Sequence, residues 1–223
     1  MQAILFDNDG VLVDTEQLYF EATRAALATL GVALDEEGYR ALSLREGRSC
    51  FELAREAGVS EEAIDARRRE RDARYHARVL EGVPLLDGVH EALAALHGRH
   101  RLAIVTSSRP ENLRAVHRHH GLERYFELVV ALGDYARSKP HPDPYLEAAA
   151  RLGVAPADCL VVEDSERGLR AALAAGMECW VIPNALTQGG DFRGAARVLA
   201  GARELPAQVA RRAQRGMWEQ SST

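Results

Sequence analysis

The feature that most constrains the fold is a series of short apolar runs that alternate with amphipathic helical patterns. Short runs without polar alternation are typical of strands buried in a parallel sheet. The predicted strands are Ala3–Phe6, Leu102–Val105, Leu128–Leu132, Leu160–Val162 and Cys179–Ile182, with a weaker sixth near Arg197–Leu199. The predicted helices between them are Val89–Leu96, Glu111–His119, Pro144–Leu152 and Gly168–Ala175. This alternation predicts an α/β fold, a doubly wound parallel sheet covered by helices on both faces.

One long stretch interrupts this alternation. From about Thr15 to Pro84 no strand-like run occurs, and amphipathic patterns predict only helices. These helices are Glu16–Leu30, Glu36–Leu42, Cys50–Ala57 and Glu61–Leu80. We therefore expect a helical cap domain of residues 15–84, inserted into a core domain of residues 1–14 and 85–223.

Composition and charge exclude several classes of partner and location. The net charge of −5 makes nucleic acid a poor default partner. No apolar run approaches the roughly 20 residues of a membrane-spanning helix, and the N-terminus lacks the basic and apolar regions of a signal peptide. The three cysteines have no metal-binding spacing. The sequence therefore predicts a cytoplasmic protein that binds neither nucleic acid nor membranes.

Polar side chains follow four of the predicted strands, at the points where these strands end. They are Asp7 and Asp9, then Thr106, Ser107 and Ser108, then Lys139, and finally Glu163 and Asp164. In an open parallel sheet the carboxyl ends of the strands share one edge, and ligands bind there at the point where the strand order reverses. We therefore expect these residues to meet in one crevice.

The residue types in this crevice predict a particular chemistry. Four carboxylates at this density would repel one another, and a hard divalent cation such as Mg²⁺ relieves the repulsion. Hydroxyl groups, backbone amides and an ammonium group suit the oxygens of a phosphate. An aspartate could attack phosphorus to give an aspartyl-phosphate, and a second acid could protonate the leaving oxygen and then deprotonate water.

Lysine usage supports this interpretation independently. Lys139 is the only lysine, and every other residue in the combined lysine and arginine count of 28 is arginine. A lysine kept against this bias is expected where arginine will not serve. A compact ammonium fits between a carboxylate and a phosphoryl oxygen, whereas a planar guanidinium is wider.

Four segments carry a resemblance to a known family. The segments FDNDGVLVDT, IVTSS, SKPHPD and LVVEDSERG resemble, in order, the four signatures of the haloacid dehalogenase superfamily of phosphohydrolases. They extend from the first strand to about Gly168. The resemblance implies a Rossmann-like core, an inserted α-helical cap, Mg²⁺ as cofactor and an aspartyl-phosphate intermediate.

The same resemblance implies roles for the acidic residues. Asp7 would be the nucleophile and a metal ligand. Asp9 would be the general acid and base, with its backbone carbonyl on the metal. Asp164 would be a metal ligand, and Glu163 would reach the metal directly or through water.

Further roles concern the substrate. The resemblance implies that Thr106 and the Ser107 amide hold the phosphoryl group, and that Lys139 neutralises nucleophile and phosphate. In the helical region, Tyr19 and Arg48 are candidates to face the crevice, and Arg48 could contact a second anionic group.

Several reactions occur in this family, and the sequence favours one. Asp9 argues against dehalogenation, and a helical region without lysine argues against phosphonoacetaldehyde hydrolysis, which needs a Schiff-base lysine there. A phosphatase acting on small phosphomonoesters, sugar phosphates foremost, is expected. A β-phosphoglucomutase-like phosphotransferase stays open, although such enzymes carry a histidine near Tyr19 and a cap lysine. A non-catalytic phosphate-binding module also stays open, and a monomer or weak dimer is expected.

One further polar run resembles a metal site. The segment HRHH, His117–His120, places two histidines one turn apart. We interpret it as a solvated helix C-terminus, where cationic side chains suit the helix dipole.

Overall fold

The computed structural model describes residues 1–220, with side chains through residue 214, and it contains a six-stranded parallel sheet. The strands are β1 (Ala3–Phe6), β2 (Arg101–Val105), β3 (Leu128–Val130), β4 (Cys159–Glu163), β5 (Glu178–Val181) and β6 (Arg197–Val198). Their order in the sheet is β3-β2-β1-β4-β5-β6, and every neighbouring pair is parallel. The strand order reverses beside β1, which therefore marks the expected binding edge.

Nine α-helices accompany the strands within the described residues. They are α1 (Glu16–Ala28), α2 (Glu36–Tyr39), α3 (Glu52–Glu56), α4 (Glu61–Glu81), α5 (Val89–Leu96), α6 (Pro110–His120), α7 (Asp143–Leu152), α8 (Glu166–Ala174) and α9 (Leu205–Gln220). A π-helical segment, Arg40–Arg45, continues α2. Short 3₁₀ turns lie at Leu122–Tyr125, Pro156–Asp158 and Ala202–Glu204. No helix in residues 1–220 combines the length and apolar character needed to cross a bilayer.

The strand side chains alternate between two apolar layers. In β1, Ile4 and Phe6 join the layer formed with α5, α6 and α9, whereas Ala3 and Leu5 join the layer formed with α7 and α8. All four side chains are at most 1% exposed. This burial on both faces explains why β1 is apolar at every position, and it confirms the predicted doubly wound α/β fold.

The helices α1 to α4 form a helical insert, Glu16–Glu81, between β1 and α5. Its side chains, among them Phe20, Leu27 and Ile64, form an apolar cluster to which the core adds Leu186. The two linkers at its base pair with each other. The Asp14 amide donates to the Pro84 carbonyl at 3.1 Å, and the Leu86 amide donates to the Leu12 carbonyl, also at 3.1 Å. The chain therefore leaves the core and returns to it at one place.

The predicted elements match the observed ones with small shifts at their ends. All six predicted strands are present, including the weak sixth. The largest difference lies in the helical insert, where the helix predicted over Glu36–Leu42 ends at Tyr39 and passes into the π-helical segment. The wider turn of that segment shifts the direction of every following side chain relative to an α-helix.

Candidate active site

The sheet places three polar groups side by side at its carboxyl edge. β1 pairs with β2 on one side and with β4 on the other. Asp7 follows β1, Thr106 follows β2, and Asp164 follows Glu163 at the end of β4. These residues are adjacent because parallel strands in register end together. The site predicted from the sequence is thus assembled by the sheet.

Lys139 connects the nucleophile candidate to β4. Its Nζ lies 2.9 Å from Asp7 Oδ1 and 2.7 Å from Glu163 Oε1, and it donates to the Val105 carbonyl at 2.9 Å. The side chain is buried. Three acceptors around one nitrogen match the three protons of an ammonium group, a geometry that a planar guanidinium cannot reproduce. This arrangement gives a physical reason for a lysine here in a chain otherwise rich in arginine.

Three buried carboxylates form an acidic cluster beside Lys139. Oxygens of Asp7, Glu163 and Asp164 all lie within 4.8 Å of one another. Burial raises the pKa of Asp7 to about 7, against a smaller lowering by Lys139. Burial and the neighbouring carboxylates raise the pKa of Asp164 well above its usual value. Glu163 differs: burial is the largest single effect and raises its pKa, but Lys139, Tyr145 and Arg167 together lower it below its usual value.

These charges indicate what the acidic cluster lacks. Lys139 compensates Glu163, but the negative charges of Asp7 and Asp164 remain under-compensated in a buried place. A hard divalent cation with oxygen ligands supplies the missing positive charge. The donor set therefore fits Mg²⁺. The side chain of Asp9 is not part of the acidic cluster.

The Asp9 carboxylate is instead held by three hydroxyl groups. Thr15 Oγ1 donates to Oδ1 at 2.5 Å, while Ser108 Oγ and Thr106 Oγ1 donate to Oδ2 at 2.6 and 3.1 Å. The two oxygens of Asp9 thus accept three hydrogen bonds in this arrangement. Thr106, a predicted phosphoryl-binding residue, thus contacts the predicted acid and base, and Ser107 lines the adjoining pocket.

Two glycines and an asparagine complete the site, and the sequence alone predicted no role for them. Asn184 Nδ2 donates to Asp164 Oδ2 at 2.7 Å. A Cβ on Gly168 would lie 1.9 Å from Glu163 Cδ, so only glycine fits beside that carboxylate. Gly10 has φ +82°, and a Cβ there would lie 2.4 Å from Asp164 Oδ2. Asn184 follows β5, so the rule that located the other polar groups could have found it.

A pocket of about 230 Å³ opens between the sheet edge and the helical insert. Residues outside the helical insert contribute Asp7, Asp9, Thr15, Ser107, Ser108, Arg109, Asn112, Leu132 and Arg167, and the insert contributes Glu16, Tyr19, Arg71, Asp72 and Tyr75. We call Glu16, Tyr19, Arg71 and Arg167 the outer wall. This volume is below the range of about 300–1,000 Å³ typical of drug-sized ligands, so the pocket suits a small substrate.

Tyr19 faces the pocket as predicted, but Arg48 does not. Tyr19 packs edge to face against Tyr75, with ring centroids 5.2 Å apart. Arg48 is exposed and pairs with Glu46 and Glu52 at 2.9 and 2.5 Å. The prediction for Arg48 was wrong because its position follows the π-helical segment, where helical phasing fails.

The interpretation of HRHH as solvated was wrong for its first residue. His117 is buried, and its Nε2 lies 2.9 Å from Oδ1 of Asn8, the residue between Asp7 and Asp9. Burial lowers the pKa of His117 to about 4, so the ring is neutral near pH 7. His117 therefore supports the loop that carries both aspartates.

Comparisons with known proteins agree with this geometry. A family model described as haloacid dehalogenase-like hydrolase matches residues 1–176. The chain is 37% identical to the plasmid protein CbbY of Cupriavidus necator, over 89% of this chain and 85% of that protein. It is 34% identical to the fructose-1-phosphate phosphatase YqaB of Escherichia coli, over 78% and 93%. A crystal structure of CbbY from Rhodobacter sphaeroides in complex with xylulose-(1,5)bisphosphate superposes with a TM-score of 0.79 at 32% identity, over 92% and 96%.

Proposed function

Because the chain belongs to the haloacid dehalogenase-like hydrolase family, we propose that it is a Mg²⁺-dependent phosphatase of small phosphomonoesters, with sugar phosphates as its substrates. The observation that carries the proposal is the meeting of Asp7, Lys139 and Asp164 in one buried cluster. Two relatives with sugar-phosphate ligands or substrates in their names support the substrate class.

Asp7 is the proposed nucleophile. Its Oδ1 is bonded to Lys139, which leaves the second carboxylate oxygen available to attack phosphorus. The new bond joins this oxygen to phosphorus, the bond from phosphorus to the leaving oxygen breaks, and an aspartyl-phosphate results. Lys139 favours the ionised form of Asp7, because its charge lowers the pKa of that carboxyl against the effect of burial, and it stabilises negative charge on the phosphoryl group.

Asp9 is the proposed general acid and base. In its protonated form it gives a proton to the leaving oxygen, and as a carboxylate it then takes a proton from the water that attacks the aspartyl-phosphate. Three hydroxyl groups now donate to Asp9. At least one must turn away before Asp9 can donate, and Thr106, released in this way, can join Ser107 on the phosphoryl oxygens.

The metal site is proposed from the same residues. Asp7, Asp164 and the backbone carbonyl of Asp9 would hold Mg²⁺, and Glu163 would support the site through Lys139. When bound, the cation supplies positive charge to the phosphoryl oxygens. The under-compensated charges of Asp7 and Asp164 support this assignment.

The domain assignment is also proposed. Residues 15–84 would act as a cap over a core of residues 1–14 and 85–223, of which 221–223 lie outside the described residues. The apolar cluster of the helical insert, to which the core adds Leu186, supports this division. Its movement would admit substrate and exclude water. Hydrolysis is favoured over a mutase reaction because Tyr19 stands where such enzymes carry a histidine, and the insert has no lysine.

A cytoplasmic monomer or weak dimer is proposed as well. All three cysteines are free and buried, which suits a reducing compartment. The large apolar side chains exposed among the described residues are spread over α4, β3 and the segment after it, α7, α8 and β6. Such scattered exposure supports a small association tendency, and sedimentation velocity measures it.

The experiment that tests the function is a phosphatase screen. Purified protein is assayed with p-nitrophenyl phosphate and a panel of sugar phosphates, with Mg²⁺ and with EDTA. We expect metal-dependent release of inorganic phosphate and a higher kcat/KM for one or more sugar phosphates. A rearranged sugar phosphate without phosphate release would favour the mutase, and inactivity across the panel would favour a phosphate-binding module.

A further inference from the structure

Arg167 is a pocket residue whose charge has no direct partner. It lies in the first turn of α8, three residues after Asp164, and lines the pocket. Its Nε is buried without a hydrogen-bond partner. Among the described residues, no carboxylate oxygen lies within 4.0 Å of its nitrogens. A guanidinium has five donors and stays charged, so unfilled donors in a buried place are costly.

The other two arginines of the pocket are paired. Arg71 Nε donates to Asp72 at 2.7 Å, and its Nη1 donates to Thr23 at 3.1 Å. Arg109 Nη2 donates to the other oxygen of Asp72 at 2.8 Å. The lack of partners at Arg167 is therefore not a general property of pocket arginines in this chain.

Glu16 is the main counter-charge to Arg167. It lines the same pocket from the start of α1, is buried, and accepts a hydrogen bond from the Tyr39 hydroxyl. Burial lowers the pKa of Arg167, and Glu16 leads the charges that raise it again. The two side chains thus attract each other without touching. A hydroxyl group is the ligand that can donate to one and accept from the other.

We propose that Arg167 is a substrate-binding residue that, together with Glu16, binds a hydroxyl of the leaving group. This inference rests on the proposed function and specifies its substrate preference. The enzyme should prefer polyol phosphates to phosphoesters whose leaving group has no hydroxyl. A second anionic group is disfavoured at this place because the Glu16 carboxylate would repel it. The phosphoryl end of the pocket has its own cation in Lys139, so Arg167 remains available for the leaving group.

The test compares two substrates in matched variants. Arg167→Met removes the guanidinium and keeps an unbranched side chain, and Arg170→Met makes the same change at an exposed site on α8. The substrates are p-nitrophenyl phosphate and the polyol phosphate that the wild type hydrolyses fastest. For Arg167→Met we expect kcat/KM for the polyol phosphate to fall about ten- to a hundredfold, mainly through KM. Turnover of p-nitrophenyl phosphate should stay within about threefold.

The outcomes separate substrate binding from charge balance. Equal losses on both substrates would assign Arg167 a general electrostatic or structural role and overturn the inference, as would no loss on either. Arg167→Lys keeps the positive charge but has fewer hydrogen-bond donors. A KM between those of wild type and Arg167→Met supports direct binding. Thermal melts of all variants exclude unfolding as the cause of a loss.

A binding measurement keeps this inference distinct from the phosphatase proposal. In the Asp7→Asn background, calorimetry compares the affinities of fructose 1-phosphate and inorganic phosphate, with and without Arg167→Met. We expect only the sugar phosphate to bind more weakly. Unchanged or undetectable sugar-phosphate binding would overturn the role of Arg167. If the wild type hydrolyses p-nitrophenyl phosphate but no sugar phosphate, the role of Arg167 is overturned and phosphatase activity still stands. If the wild type hydrolyses no ester but binds the sugar phosphate through Arg167, the phosphatase proposal is overturned and the role of Arg167 stands.

Discussion

The two walls of the pocket are built in different ways. At the sheet edge, Lys139 and Glu163 are fully buried and their hydrogen-bonding capacity is filled. Lys139 has three acceptors, and Glu163 accepts from Lys139, Tyr145 and Ser165. We call Asp7, Lys139, Glu163 and Asp164 the sheet-edge wall.

The outer wall contains hydrogen-bond donors that have no acceptor among the described residues. Arg167 has no direct partner, and the guanidinium of Arg71 lies 4.5 Å above the Tyr19 ring while its Nη2 bonds to no atom of the described residues. Glu16, Tyr19 and Arg71 come from the helical insert rather than from the sheet.

This difference relates rigidity to chemistry. The groups proposed to act on the phosphoryl group are held by strand ends and by each other, which is the preorganisation that favours electrostatic stabilisation of a transition state. The groups proposed to meet the leaving group keep free donors, which suits recognition of a substrate that arrives from outside. Substitutions at the two walls should therefore differ in size and kind of effect.

The largest effect is expected at the nucleophile of the sheet-edge wall. Asp7→Asn should lower turnover by about a thousandfold or more, since an amide cannot form the phosphoenzyme. The fold should persist because the amide is nearly the same size. Activity with p-nitrophenyl phosphate and circular dichroism measure this, and Asp14→Asn, exposed in the adjacent linker, is the matched control. Activity above roughly a hundredth of wild type would argue against a covalent intermediate.

The next effect is on stability and follows from charge. The pKa of Asp7 is raised from 3.8 to about 7 by burial, so the metal-free folded state holds a proton that the unfolded state has lost. The contribution of Asp7 to the free energy of unfolding is fully present below about pH 4 and is lost as pH rises to about 7. The loss amounts to up to about 4 kcal/mol. Urea unfolding should show wild type losing stability relative to Asp7→Asn over this range. Mg²⁺ at neutral pH should restore it in wild type only, and a pH-independent difference would contradict the assignment.

Lys139→Arg tests whether the sheet-edge wall needs shape as well as charge. The guanidinium keeps the positive charge but cannot place three protons on Asp7, Glu163 and the Val105 carbonyl. We expect kcat to fall about a hundredfold. Arg137→Lys, an exposed exchange in the same loop, should be neutral. Near-normal turnover of Lys139→Arg would show that charge alone suffices.

Gly168→Ala should have a smaller effect on the same wall. The new methyl group would collide with the Glu163 carboxylate, which must move and disturb Lys139. A loss of about 1–3 kcal/mol in unfolding free energy and about tenfold in kcat is expected. Gly201→Ala, where a Cβ would meet open space and the backbone is extended, is the control. Equal stability of the two variants would mean that the contact is readily relieved.

The smallest effect is expected beside the outer wall. Asp72 joins Arg71 of the insert to Arg109 of the core at partly exposed positions. Since such pairs contribute about 0–1 kcal/mol, Asp72→Asn should change KM by less than about fivefold and leave kcat unchanged. Asp65→Asn, whose partner Arg68 lies on the same helix, is the control. A large fall in kcat would show that this pair positions reacting groups.

The sequence predicted the sheet-edge wall better than the outer wall for a physical reason. Strand ends in a parallel sheet converge by topology, so Asp7, Lys139 and Asp164 could be grouped from order alone, and the family resemblance is confirmed. Side chains on helices converge only if their phase is known. Arg48 was misplaced after the π-helical segment, and Arg167 resembles the many solvated arginines of the chain.

The contacts of buried polar residues were the other feature that the sequence did not predict. His117 was taken for part of a solvated helix end because the other three residues of the run, Arg118, His119 and His120, are all polar. Its partner, Asn8, lies 109 positions away, and no local pattern reveals such a contact. Asn184, by contrast, follows β5 and could have been grouped with the other residues at strand ends.

The paired linkers at the base of the helical insert have a consequence for how such a protein can change. Since residues 14 and 84 are already hydrogen-bonded neighbours, closing the chain there would require little loop entropy. The insert can therefore be exchanged as a unit, for one of different length or surface, without moving the strand that carries Asp7. New substrate preferences could then be acquired by grafting at a single junction, while the reaction itself is inherited intact.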